Sequence, residues 1–139
     1  MSELSASEKL LKFSEEVKVD LKINDMNLSD MSFDVPQKKH YWATRLIFET
    51  QKLNQLEREK KKLEREVLKA ATNALPIEAS DRLKKSKVNE TQVMQNITQE
   101  IEDQKLLVQY LEKVEKIFAF ITNDIKNIIE IRQMDLNQI

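Results

Sequence analysis

One histidine, no cysteine and no glycine leave this chain of 139 residues few ways to do covalent chemistry. Phosphate-cradling loops, dinucleotide turns and nucleophile elbows each need glycine, for positive φ or for close backbone approach. Thiol catalysis, disulfide frameworks and thiolate zinc sites need cysteine. A Ser–His–acid triad would have to use His40, beside Tyr41 and Trp42 at a helix start. A metal site would need carboxylates alone. The acidic pairs Glu15-Glu16 and Glu102-Asp103 stand at surface spacing, with no second inward-facing set. The expectation is therefore no enzyme, no metal and no cofactor.

The chemistry that remains is electrostatic. A formal net charge of −1 hides a segregation: residues 1–37 sum to −4, residues 38–87 to +7 and residues 88–139 to −4. Within the basic middle, Arg58, Lys62, Arg65 and Lys69 advance by four, three and four, with Lys61 beside them. On a helix they form one stripe about 16 Å long, a reach that can touch several phosphates. Upstream, Lys38-Lys39-His40-Tyr41-Trp42 interleaves cations with two aromatics. Single-stranded nucleic acid is bound by such a cationic track with rings for base stacking. Trp42 falls on an apolar helix seam, which makes Tyr41 the better stacking candidate. Lys84, Lys85 and Lys87 add a third basic cluster. The competing reading of all these charges is solvation of helix faces and i,i+4 pairing.

Helices must position these groups. Ser5 followed by Glu8 is a capping-box pattern, and Leu10, Phe13, Val17 and Leu21 recur at helical spacing, so a first helix is predicted over about 6–20. From Ile23 to Pro36 turn and cap residues alternate with single apolar anchors, which predicts an extended, docked linker with room for one short helical turn and with Val35 held out of the α region by Pro36. A second helix is predicted from Gln37 to about Asn73. Its seam runs through Trp42, Leu46, Leu53, Leu56, Leu63 and Val67 and is broken by Glu49 and Lys60. Pro76 ends it, and residues 77–88 read as a polar connector. Asn89, with Gln92 three positions on, is the expected cap of a last helix reaching about Leu136.

Along that last helix Leu107, Leu111, Val114, Phe118, Ile121, Ile125 and Ile128 alternate steps of four and three. Ile101, Val108, Ile117, Phe120, Ile129 and Ile131 widen the stripe, and so wide an apolar face predicts burial between subunits. The expected fold is all-α. Two long helices lie in an antiparallel coiled-coil-like arrangement, with a short N-terminal helix, and the chain assembles into an oligomer. Residues 1–36 form the N-terminal helix and linker. Residues 37–139 form a helical hairpin, made of the basic helix 37–74, the connector 75–88 and the oligomerisation helix 89–137. The acidic, polar start predicts no signal peptide, and no apolar run approaches a membrane span.

With these residues placed, the chain resembles the UvsY-type recombination mediator proteins of T-even-like phages. The likeness rests on an N-terminal helix, Asp20-Leu21-Lys22-Ile23-Asn24 with Asn27-Leu28, then Val35-Pro36 before His40-Tyr41. A basic helix, a lysine-rich connector and a long apolar C-terminal helix follow in the same order, over about residues 10–136. The resemblance implies a non-enzymatic ring of six or seven subunits in the cytoplasm of an infected cell. It implies binding to single-stranded DNA, to a RecA-like recombinase and to the single-strand-binding protein that the recombinase replaces. The family's basic segment maps onto Leu63-Glu64-Arg65-Glu66-Val67, where only Arg65 is a cation, so Arg58, Lys61, Lys62 and Lys69 carry the expected contact. The alternative is a coiled-coil scaffold or assembly chaperone without a nucleic-acid role.

Overall fold

The computed structural model describes residues 4–21, 28–74 and 91–137, which form three helices and, among the described residues, no strand. Helix α1 spans Ala6–Asp20, α2 spans Leu28–Ala74 and α3 spans Gln92–Asn137. Ser5 caps α1 as its spacing predicts: its hydroxyl accepts from the Glu8 amide at 3.2 Å, and its carbonyl accepts from the Lys9 amide. Thr91 caps α3, its hydroxyl accepting from the Met94 amide at 3.4 Å. Asn89, the expected cap, lies outside the described residues. None of the described residues takes a positive φ, in keeping with a chain that has no glycine.

The predicted extended linker is overturned over residues 28–36. Helix α2 begins at Leu28 and continues through Pro36. A proline there removes one amide donor and crowds the carbonyl four residues earlier, at a cost of about 3 kcal/mol in an ordinary helix interior. Tertiary burial outweighs that local preference. Val35 and Trp42 are two turns apart, so a continuous helix turns both to one side, where they are 2% and 1% exposed.

The chain groups into two compact units, Met1–Phe48 with Leu107–Ile139, and Glu49–Leu106. In the first, Phe13 and Val17 of α1 and Val35 and Trp42 of α2 pack with Leu107, Leu111, Val114, Phe118, Ile121 and Ile125 of α3. Here α2 and α3 run antiparallel. Lys39 shares a cleft with Glu112, Glu115 and Lys116, whereas the earlier Val35 shares one with the later Ile125 and Ile129.

This packing corrects the expected subunit interface. Leu107, Leu111, Val114 and Phe118 are fully buried within a single chain, and Ile121 and Ile125 nearly so; of the seven only Ile128 is exposed. The seam is filled by the chain's own α1 and α2. A helical period shows that a face must be buried without showing against what.

In the second unit Met94, Ile97 and Ile101 of α3 pack with Leu53, Leu56, Leu63, Val67 and Leu68 of α2. The expected break at Glu49 is filled by a polar partner. Gln104, 1% exposed, donates through Nε2 to the Glu49 carboxylate at 2.7 Å and to the Glu49 carbonyl at 2.9 Å. A polar pair inside an apolar seam penalises every register that would strand either partner.

Candidate nucleic-acid interface

Two groups of cations fall on α2, one in each compact unit. In the second unit the α2 seam residues Leu56, Leu63 and Val67 pack against α3, which turns the opposite face outward. Arg58, Lys61, Lys62, Arg65 and Lys69 are all exposed on it, as their spacing predicts. Among the described residues none of these five forms an ion pair with a carboxylate. Glu57 and Glu64 lie half-buried beside the seam, while Glu59 accepts from Gln55 Nε2 at 3.3 Å. Glu59 and Glu66 are exposed along one edge of the five cations, which still make a strip that attracts polyanions and releases counterions on binding. The third predicted cluster, Lys84, Lys85 and Lys87, lies outside the described residues.

The aromatic group lies in the first unit. Helical spacing places Lys38, Tyr41, Trp42 and Arg45 on one face of α2, and Phe13, Glu16, Val17 and Asp20 on one face of α1. These faces meet at Arg45, whose guanidinium stands 4.4 Å from the Phe13 ring centre, 4.1 Å from Tyr41 and 4.9 Å from Trp42. Such an arrangement is a cation–π cluster on three rings. The same guanidinium donates to Glu16 Oε2 at 2.6 Å. Trp42 Nε1 donates to Asp20 Oδ2 at 3.0 Å, and Lys38 Nζ lies 3.7 Å from Asp20 Oδ1. Phe13 and Tyr41 each meet Trp42 edge-on, with centroids 5.7 Å and 5.4 Å apart.

Tyr41 therefore departs from a free stacking platform. Its side is 43% exposed, but one ring face is covered by Arg45 and its hydroxyl donates to Glu16 at 3.3 Å. Burial pushes its phenol above the ordinary value; Arg45 opposes this, and Glu16 adds to it by charge and by the hydrogen bond it accepts. Trp42 is core, as its seam position predicts. Lys39 is exposed, while Lys38 is half-buried against Asp20.

Sequence reasoning missed Arg45, Glu16 and Asp20 as members of this cluster. The signal was present: Lys38, Trp42 and Arg45 follow steps of four and three, and Glu16 and Asp20 are four apart. What the pattern lacked was the identity of the facing helix.

The exposed cations of α2 can bind anions. Among the described residues no group of three or more His, Cys, Asp or Glu side chains is placed to hold a metal ion. No helix of the described residues is long and apolar enough to cross a membrane. No protein-family model matches the chain, and neither a curated protein nor a solved structure matches it.

Proposed function

We propose that the chain is a single-stranded DNA-binding recombination mediator, which helps a RecA-like recombinase onto DNA covered by single-strand-binding protein. The observation that carries the reading is the outward strip Arg58, Lys61, Lys62, Arg65 and Lys69, exposed and, among the described residues, in no ion pair with a carboxylate. The resemblance to UvsY-type mediators supplies the identity of the strand and of the two protein partners.

The same reading includes a homo-oligomeric ring of six or seven subunits. Support for assembly comes from a different face of α3 than the seam. Ile117, Phe120 and Ile131 follow helical steps along the C-terminal half and remain exposed, Phe120 to 70%, with the exposed Asp124 among them. Apolar stripes of this kind are uncommon on monomeric proteins.

Titration of a labelled oligonucleotide at several salt concentrations tests the reading. Four phosphates neutralised per subunit give log K a slope near −3 against log salt. Changing Arg58, Lys62, Arg65 and Lys69 together to Gln flattens that slope while the oligomer survives. No affinity for single strands at low salt overturns the proposal. Exposed Phe33, Phe48 and Phe120 favour the second reading, a protein scaffold without nucleic acid. Indifference to DNA with salt-insensitive binding to another protein would establish it.

A further inference from the structure

We propose that the α2 face bearing Lys38, Tyr41, Trp42 and Arg45 is a second single-stranded nucleic-acid site, kept occupied by α1, which a bound strand displaces. The proposal rests on the single-strand reading above and adds a regulated site to it.

The polar and aromatic contacts that α1 makes there have nucleic-acid counterparts, whereas Val17 packs as plain core. The Glu16 carboxylate takes the Arg45 guanidinium at 2.6 Å, as a phosphate oxygen would. Asp20 stands beside Lys38 at 3.7 Å as a second anion, and also accepts from the Trp42 indole. Phe13 lies against Arg45 and edge-on to Trp42, where a base would lie. A carboxylate, a second carboxylate and a ring on one face of α1 thus meet two cations and two rings on α2.

Exchange is balanced in charge, because two phosphates replace two carboxylates. Both ion pairs are partly exposed to water, with side chains between 23% and 34% exposed, so salt screens them and they hold α1 only weakly. The apolar hold is stronger, since Phe13 and Val17 leave the core with the helix. Access therefore requires a strand long or concentrated enough to compete, while the exposed strip on α2 binds without that cost.

The test uses the full chain, a labelled oligothymidylate and two readouts. Trp42 is the chain's one tryptophan, so its emission reports displacement of α1 directly. Strand binding should shift or quench that emission in the wild-type chain. Glu16→Gln with Asp20→Asn should tighten binding severalfold, because α1 then competes less for Lys38 and Arg45. Glu8→Gln with Glu15→Gln removes equal charge from α1 without touching Lys38 or Arg45, and should leave the affinity near that of wild type. Equal effects of the two double variants, or wild-type binding with no change in Trp42 emission, overturn the proposal and leave the exposed strip as the site. Absence of any binding, by wild type and variants alike, overturns the single-strand reading itself. The Trp42 readout on the wild-type chain stands even where the first double variant fails to fold.

Discussion

Replacing Gln104 by leucine removes two hydrogen bonds from the α2–α3 seam of the second unit while nearly conserving volume. The bond to the Glu49 carboxylate is charge-assisted and worth about 1.5–3 kcal/mol, and the bond to its carbonyl about 0.5–1.5 kcal/mol. Leucine regains about 1 kcal/mol through added apolar burial. The expected net loss is therefore about 1–3.5 kcal/mol. Glu49→Leu strands the other partner, with Gln104 keeping only the carbonyl. The double replacement strands neither, so it should cost less than the two single changes added together, with a coupling of at least about 1 kcal/mol. Urea unfolding followed by far-UV circular dichroism measures all four members of the cycle. Trp42 fluorescence follows the first unit in the same samples. A Gln104→Leu chain as stable as wild type, or a coupling near zero, would refute the view that this pair sets the register.

Phe118 is fully buried among α1, α2 and α3, so Phe118→Ala should cost about 3–5 kcal/mol of unfolding free energy, read by the same denaturation. An effect under about 1 kcal/mol would deny that this seam is intramolecular core. Phe120→Glu, on the exposed stripe, should lower the solution mass of the assembly while helix content is kept; an unchanged sedimentation profile contradicts assembly through that face. Burial raises the phenols of Tyr41 and Tyr110, the chain's only two tyrosines. The folded chain then holds these protons more tightly than the unfolded chain. Stability from this source is complete below the ordinary phenol value of about 10 and is lost as pH rises through the raised values. Phenolate absorbance should appear later in the native chain than in urea, and coincident titrations would refute it.

Much of the architecture is legible in the residue order, because helical periodicity is local. Ser5 and Glu8 mark the first cap, the seam from Trp42 to Val67 faces inward, and Arg58 to Lys69 faces out, all as spacing alone predicts. Pro36 misled for an equally local reason: the proline's cost is visible in the sequence, whereas the burial of Val35 and Trp42 that outweighs it depends on α3. Likewise Glu49 reads as a flaw in a seam until Gln104, 55 residues away, is placed against it.

By itself, then, the sequence determined that the chain is helical, which stripes are apolar and where positive charge collects. The tertiary structure decided what each stripe meets. It gave the α3 seam to the chain's own helices, leaving Phe120 and its neighbours outward. It also set the acids of α1 on Lys38 and Arg45 while leaving the Arg58–Lys69 strip exposed. The physical reason is that amphipathicity records how much surface a helix must hide, while the partner is selected by long-range complementarity of shape and charge.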